Sequence, residues 1–347
     1  MSDSFNILVS SAGRRVSLLD LFRRSLRELE LDGEVMAIDM SRTSPAFHLS
    51  DRAFQVPRCT APEFVPQVLE LCKEYEIDLI IPTIDTELPI YAKHRDVFEK
   101  QGTAIAISKP EVIEIANDKI ATHKWLTAQG LPTVRQTTVE GALENRTEWA
   151  FPLLVKPVAG SMSKGVAIVA NEKELLAATQ DDDYIVQTIA PGEEYTVSFF
   201  ADRQGVCRCA IPRQRLEVRA GEVSKGRTIR NEFIEELTFE VCNLLPGAYG
   251  ALNVQIFFNE ETAELNIIEL NPRFGGGFPL AYEAGGKYPQ WLIEEIAGLP
   301  STATNGAWRD RLTMLRFDRA VYLTEEELNG ESEVHSLRRG RHPVSGT

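Results

Sequence analysis

The stretch from Ala263 to Gly277, A-E-L-N-I-I-E-L-N-P-R-F-G-G-G, constrains the fold of this chain most strongly. Its apolar residues between 265 and 270 are typical of a buried strand. Glu269 and Asn271 are two residues apart, so on a strand they would share one face. The proline and glycines that follow predict that the strand opens into a loop. Carboxylate and amide oxygens beside Arg273 suit Mg²⁺ and phosphate, although a solvated strand end beside a turn fits the same residues.

The first hundred residues alternate strands and helices, which indicates a doubly wound α/β domain with a parallel sheet. The predicted strands span residues 5–10, 34–39, 78–83 and 103–108, and the predicted helices span 16–31 and 64–75. The first turn, S-S-A-G-R-R, is not the G-x-G-x-x-G of a dinucleotide site. The helix that follows, with Arg14 and Arg15, could hold an anion, or these could be two solvated arginines. Asp85 and Glu87 are either substrate contacts or loop caps.

A lysine and a glycine-rich loop follow one another in the middle of the chain. Residues 151–157 form an apolar predicted strand that carries Lys156. A buried lysine is costly unless an anion pairs with it. In the next residues, V-A-G-S-M-S-K-G-V, Gly160 and Gly165 bracket Ser161 and Ser163, and a strand at 166–170 follows. The N–H groups and hydroxyls of this loop could cover triphosphate oxygens, or the loop could be an ordinary flexible hairpin.

Cations concentrate between residues 213 and 230, at Arg213, Arg215, Arg219, Lys225, Arg227 and Arg230. Glycines at 221 and 226 favour a loop beside an anionic ligand over the solvated face that such a run usually forms. The predicted strand 250–258 then turns back at residues 260–262 to form a hairpin with the 263–277 stretch. Gln255 would therefore lie beside Glu269 and Asn271, and the three could share one or two Mg²⁺ ions that bridge phosphates.

The composition of the 347 residues argues against several classes of function. The net charge is 37 − 51 = −14, whereas a general nucleic-acid surface needs clustered Lys and Arg. No apolar run is long enough to cross a membrane, and the N-terminus lacks the pattern of a signal peptide. The five cysteines are odd in number and have no zinc-site spacing, so we expect reduced thiols in a cytoplasmic protein.

Six motifs, taken together in one order, resemble the ATP-grasp superfamily. They are N-D-K at 117–119, L-L-V-K-P at 153–157, G-S-M-S-K-G at 160–165, V-Q-x-x-x-x-G-E-E-Y at 186–195, N-V-Q at 253–255 and I-I-E-L-N-P-R at 267–273. Each motif alone is weak, but six in the family's order and spacing are specific. Within the superfamily the chain is most similar to one synthetase half of the carbamoyl phosphate synthetase large chain, over roughly residues 110–300.

The resemblance implies a Rossmann-like domain with a doubly wound parallel sheet, followed by an α+β ATP-grasp fold with a small lid subdomain. The expected boundaries are 1–112 for the first domain, 113–190 for the lid, 191–334 for the core with the metal site and 335–347 for a mobile tail.

The resemblance also implies roles for individual residues. Those expected at ATP are Lys119 and Lys156 on the phosphates, Gly160, Ser161, Ser163 and Gly165 in the covering loop, Gln187 at the adenine and Glu194 at the ribose. Those expected at one or two Mg²⁺ ions, with Mn²⁺ as an alternative, are Gln255, Glu269 and Asn271. The catalytic candidates are Arg273, facing the γ-phosphate or the acyl phosphate, and Lys225 from the cationic run.

The implied reaction is a ligation in two steps. A carboxylate attacks the γ-phosphate of ATP to give an acyl phosphate and ADP, and an amine or thiol then displaces phosphate. The chain holds one ATP unit rather than a tandem pair, which favours a stand-alone ligase of a small-molecule carboxylate and an amine. Bicarbonate phosphorylation, as in biotin carboxylase and carbamoyl phosphate synthetase, and ATP binding without catalysis are the alternatives. By analogy with relatives, a homodimer is expected, without nucleic acid or membrane as a partner.

Overall fold

The computed structural model describes residues 4–158, 165–179, 183–219 and 221–330. The predicted loop residues Gly160, Ser161 and Ser163 and the predicted tail at 335–347 lie outside the described residues. The chain divides into two compact units. The first comprises the described residues within 1–107, 287–303 and 317–347, and the second those within 108–286 and 304–316.

The first unit begins with a five-stranded parallel sheet between helices. Its strands are β1 (Asn6–Val9), β2 (Val35–Asp39), β3 (Ala53–Gln55), β4 (Ile77–Ile81) and β5 (Ala104–Ile105). Its first helices are α1 (Val16–Glu28), α2 (Pro45–Leu49), α3 (Phe64–Glu74) and α4 (Leu88–Lys100). The strand order is β3-β2-β1-β4-β5, and every pairing is parallel. β2 and β3 lie on one side of β1, and β4 and β5 lie on the other side, as in doubly wound folds. The predicted fold class is therefore confirmed here.

The second unit contains two antiparallel sheets. Its helices are α5 (Pro110–Asn117), α6 (Lys119–Ala128), α7 (Val139–Glu144), α8 (Glu172–Ala178), α9 (Glu232–Leu244) and α10 (Phe278–Ala284). The four-stranded sheet has the order β6-β9-β7-β8, formed by β6 (Gln136–Thr138), β7 (Leu153–Pro157), β8 (Ala167–Val169) and β9 (Tyr184–Gln187). β7 and β8 pair antiparallel, as the predicted hairpin around the glycine-rich loop requires.

The six-stranded sheet has the order β14-β13-β10-β11-β12-β15. Its strands are β10 (Glu193–Ala201), β11 (Cys207–Arg219), β12 (Glu222–Thr228), β13 (Gly250–Asn259), β14 (Glu264–Asn271) and β15 (Thr313–Leu315). One face of this sheet is apolar, because residues such as Val197, Phe199 and Val254 alternate along the strands and pack with Ile234 and Val241 of α9. We call the opposite face, which carries Glu194, Thr196 and Ser198 of β10, the polar face.

The chain returns to the first unit with α11 (Tyr288–Ala297) and α12 (Glu325–Asn329). In the first unit, α1 buries Leu19, Phe22 and Leu26, which are three and four residues apart and so lie on one helix face. Among the described residues, no helix has the length and apolar composition that a membrane crossing needs.

The prediction of a loop between residues 213 and 230 is wrong. β11 continues to Arg219 and β12 runs from Glu222 to Thr228, so most of this run is a hairpin. The segment R-Q-R-L-E-V-R has a two-residue period that suits a strand, and its arginines at 213 and 215 share one face. Gly221, which directly precedes β12, adopts a positive φ of 78°, as tight turns often require.

Candidate functional site

The hairpin of β13 and β14 carries four polar side chains on one face. Gln255 lies directly opposite Glu269, and Asn253 lies directly opposite Asn271. Directly opposite residues of an antiparallel pair have Cβ atoms about 4.5–5.5 Å apart on the same face. The predicted hairpin is therefore confirmed, and it brings Gln255, Glu269 and Asn271 together on the polar face.

Arg213 and Asn253 form a buried hydrogen-bonded layer on the polar face. The Arg213 side chain is 2% exposed, and its Nη2 donates to Ser198 Oγ at 2.9 Å and to Asn253 Oδ1 at 3.3 Å. Ser198 Oγ also donates to Asn253 Oδ1, at 2.9 Å. The side-chain nitrogen Nδ2 of Asn253 donates to the main-chain oxygen of Arg273 at 2.6 Å. Arg213 is predicted only as part of the cationic run, and Asn253 is not among the predicted ligands of ATP or Mg²⁺, although it shares the strand face of Gln255.

The glycines after β14 let the loop pack against this layer. A Cβ atom at Gly277 would lie 2.2 Å from Arg213 Nη1, and one at Gly275 would lie 3.1 Å from Asn253 Oδ1. A side chain at Gly277 would therefore displace either the loop or the guanidinium. The same loop brings Arg273 back to Asn271, because Arg273 Nη2 donates to Asn271 Oδ1 at 3.2 Å.

Lys156 interacts electrostatically with both Glu269 and Lys119. Lys156 is 6% exposed on β7, and burial lowers its pKa from 10.5 to about 8, while Glu269 raises it and the Lys119 ammonium lowers it. Lys119 Nζ donates to the main-chain oxygen of Val158 at 3.3 Å. Lys119 is the first residue of α6, and Asp118 caps that helix by accepting from two of its N–H groups.

Glu194 lies on the polar face with Arg215 beside it. Arg215 Nη1 donates to Glu194 Oε1. Burial raises the pKa of the Glu194 carboxyl, Arg215 opposes that change, and the Glu269 charge adds to it. Electrostatic interactions therefore connect Glu194, Glu269 and Lys156 within the second unit.

Three other residues that the sequence predicts at the ATP site are Gln187, Lys225 and Gly165. Gln187 is buried, and its Nε2 donates to Gln136 Oε1 at 2.7 Å. Lys225 forms an ion pair with Glu217 at 2.6 Å. Lys225 and Thr228 are three residues apart on β12, so their side chains point to opposite faces of the sheet. Thr228 lies opposite Arg213, which places Lys225 on the face away from Arg213. Gly165 has a φ of 72°. The predicted roles of these three residues stay predictions.

The donor atoms of the predicted metal site suit a hard cation that also binds phosphate. Within the described ranges, no group of three or more His, Cys, Asp or Glu side chains could hold a metal ion. Gln255, Glu269 and Asn271 contribute one carboxylate and two amides. Mg²⁺ is usually bound through one or two carboxylates together with substrate phosphates and water rather than by an all-protein cage, so these residues fit that ion.

Two family models match the chain. Residues 7–106 match the PylC-like N-terminal domain, and residues 116–277 match the ATP-grasp domain. Curated relatives include the carbamoyl phosphate synthase large chain of Thermotoga petrophila, which is 25% identical over 281 residues, covering 74% of this chain and 25% of the relative. The corresponding protein of Methanobrevibacter smithii is 23% identical over 301 residues, covering 80% of this chain and 28% of the relative. The chain thus spans about a quarter of the length of these relatives.

Solved structures share the fold at low sequence identity. The biotin carboxylase domain of the Hydrogenobacter thermophilus 2-oxoglutarate carboxylase, in complex with MgADP and bicarbonate, has a TM-score of 0.69 and 19% identity, covering 89% of this chain and 73% of that one. The ADP complex of N5-carboxyaminoimidazole synthetase from Staphylococcus aureus has a TM-score of 0.69 and 16% identity, covering 87% and 80%. These likenesses confirm the predicted combination of a Rossmann-like unit and an ATP-grasp fold.

Proposed function

We propose that this chain, whose residues 116–277 match the ATP-grasp domain, is an ATP-dependent ligase acting through an acyl phosphate. Its substrates in this proposal are a small-molecule carboxylate and an amine or thiol. The observation that carries the proposal is the buried Lys156, which interacts electrostatically with both the Glu269 carboxylate and the Lys119 ammonium. A buried lysine that interacts with a carboxylate and with a second lysine suits a triphosphate with its metal ion, because each charge then has a partner.

Each residue has a distinct task in this proposal. Lys119 and Lys156 hold the phosphates, and Gln255, Glu269 and Asn271 hold Mg²⁺, with Mn²⁺ as an alternative. When bound, the ion neutralises charge that develops on the phosphoryl group. Arg273, placed by its hydrogen bond to Asn271, faces the acyl phosphate and favours its formation by charge.

The remaining expectations belong to the same proposal. Glu194 binds the ribose, and Gln187 lies at the adenine. A lid spans 113–190 and a core spans 191–334, and the protein is cytoplasmic and homodimeric. The homodimer is supported by the description of the Hydrogenobacter thermophilus neighbour as a dimer.

Bicarbonate phosphorylation is the second candidate function. It is favoured by the sequence relatives, which are carbamoyl phosphate synthase large chains, and by the bicarbonate in the Hydrogenobacter thermophilus complex. Both candidates use the same phosphate and metal residues, so only the acceptor distinguishes them.

The test is ADP release from the purified chain with MgATP across carboxylates, amino acids and bicarbonate, each with and without ammonia, an amino acid or a thiol. A ligase releases ADP with one carboxylate and nucleophile, whereas the second candidate releases it with bicarbonate. We expect Glu269→Ala to lower that turnover about 100-fold or more, while Glu261→Ala, an exposed residue of the same hairpin turn, leaves it unchanged. ATP binding without turnover on any combination would instead favour a nucleotide-binding protein that does not catalyse ligation.

A further inference from the structure

Glu194 has one carboxylate oxygen fixed and one open. Arg215 Nη1 donates to Oε1, and within the described part of the chain no group donates to Oε2. The side chains of Glu194 and Arg215 are 29% and 12% exposed. A ligand on the polar face would therefore meet a carboxylate whose orientation is set by Arg215 and whose second oxygen can accept a hydrogen bond.

Arg215 is itself held in place. Its Nη2 donates to the main-chain oxygen of Gly221 at 3.3 Å, at the turn between β11 and β12. Its Nε is enclosed and makes no hydrogen bond within the described residues. Because the guanidinium is anchored at Glu194 and at Gly221 and is largely shielded from solvent, it acts on a ligand through Glu194.

The charges around Glu194 make this arrangement depend on Arg215. The charged groups that act on it are Arg215 from β11 and Glu269 from β14. Without Arg215, a partly buried carboxyl would face a second carboxylate, which favours its protonated form. A protonated, unanchored Glu194 would lose both its orientation and part of its capacity to accept hydrogen bonds.

We propose that Arg215 is a positioning residue that gives this site its preference for a ribonucleotide, because it holds Glu194 so that Oε2 accepts a hydrogen bond from a ribose hydroxyl. The inference rests on the proposed ATP site. Replacing the hydroxyl by hydrogen leaves a fixed carboxylate oxygen without its donor, and such a loss is larger than the loss of a contact to a mobile, solvated group.

The experiment measures the binding of ATP, 2′-deoxy-ATP and 3′-deoxy-ATP to the full chain by calorimetry in the presence of Mg²⁺. We expect the wild type to bind ATP about tenfold more tightly than at least one deoxynucleotide. Arg215→Met should reduce that ratio towards one, as Glu194→Gln should, and Arg215→Lys should keep part of it. Arg219→Met is the matched control, because Arg219 lies on the same strand with its side chain 76% exposed.

The outcomes separate this inference from the proposed function. Equal weakening of ATP and both deoxynucleotides in Arg215→Met would show a merely structural role and overturn the inference. An unchanged ratio in Glu194→Gln would do the same, even if Arg215→Met did not fold. Failure of the wild type to bind ATP at all would overturn the proposed function together with the inference.

Discussion

Lys156 is almost fully buried, and burial lowers its pKa from 10.5 to about 8. A change of that size corresponds to about 3 kcal/mol between the charged and neutral forms. The cost of the charged form is offset only in part by Glu269. A polyanionic ligand would supply the missing counter-charge. We therefore expect the affinity for the nucleotide to depend on the protonation of Lys156.

The affinity for MgATP should be nearly constant below about pH 7 and fall as the pH rises through about 8, because Lys156 then loses its proton. The pKa of Lys156 is lower in the folded than in the unfolded protein. The free energy of unfolding of the unliganded protein should therefore increase as the pH rises from about 8 to about 10.5. Binding and stability thus move in opposite directions with pH. Calorimetric dissociation constants between about pH 6.5 and 9.5 measure the first effect.

Lys156→Arg tests the assignment of that titration. A guanidinium stays charged over this pH range, so the variant should bind MgATP with a flatter pH profile, even if its affinity at neutral pH is lower. The same fall in both proteins would assign the titration to another group and contradict the prediction.

The carboxylate of Glu87 joins the loop after β1 to the loop after β4 by hydrogen bonds. It is fully buried, and its carboxylate accepts from Ser10 Oγ at 2.6 Å, Ser11 Oγ at 2.7 Å, Thr83 N at 2.6 Å and Ile84 N at 3.1 Å. The sequence left substrate contact and loop capping open, and these bonds make Glu87 a cap between the loops after β1 and β4.

We expect Glu87→Gln to destabilise the first unit by about 1–3 kcal/mol, because an amide cannot accept the hydrogen bonds that both carboxylate oxygens accept. Urea unfolding followed by a probe in the first unit measures the loss. Glu99→Gln, in an exposed ion pair with Arg95, is the control and should change stability by less than about 0.5 kcal/mol. A Glu87→Gln protein as stable as that control would show that the carboxylate charge and its four bonds contribute nothing.

Strands and hairpins can be predicted from the sequence where short-range patterns specify them. The β13–β14 hairpin was predictable because its apolar residues, its turn and its polar pair all lie within about 25 residues. Arg213 was not, because its position depends on the pairing of β10, β11 and β13 and on the approach of the Gly277 loop. The cationic run between residues 213 and 230 carries two conflicting patterns: its glycines favour a loop, whereas its two-residue period favours the strands that the structure contains.

Gly277→Ala tests whether catalysis needs the close packing of the loop at Gly277 against Arg213. The new Cβ would lie 2.2 Å from Arg213 Nη1 and 2.5 Å from Val223 Cγ1, so the loop that follows Arg273 must shift. We expect a loss of about 1–3 kcal/mol in stability and a fall in ADP release. Gly298→Ala is the control: φ there is +70° but no atom lies within 4 Å, so it should cost some stability and leave ADP release unchanged. Equal ADP release by both variants would contradict the prediction.

The sequence indicates two places for an anion, one in each unit of the protein. One is the helix that follows S-S-A-G-R-R, with Arg14 and Arg15, in the first unit, and the other is the polar face of the second unit. The fold class of the first unit could be predicted because strands and helices alternate along the sequence. The choice between these two anion sites could not be predicted, because it depends on which charges are buried. Arg14 of the first site is exposed, whereas Lys156 of the second is 6% exposed and interacts with Glu269 and Lys119.

Nucleotide binding should therefore protect the second unit and not the first. With MgATP at about 100 times its dissociation constant, binding contributes about 2.7 kcal/mol. Hydrogen exchange followed by mass spectrometry should show slower exchange in peptides from α6, β7, β13 and β14, and no change in β1 to β5. Because Gln255, Glu269 and Asn271 contribute only one carboxylate, their strands should lose most of that protection when EDTA removes Mg²⁺, while α6 keeps part of it through Lys119. Protection confined to the β1–α1 turn would instead place the nucleotide at Arg14 and Arg15, and would contradict the assignment of the polar face as the ATP site.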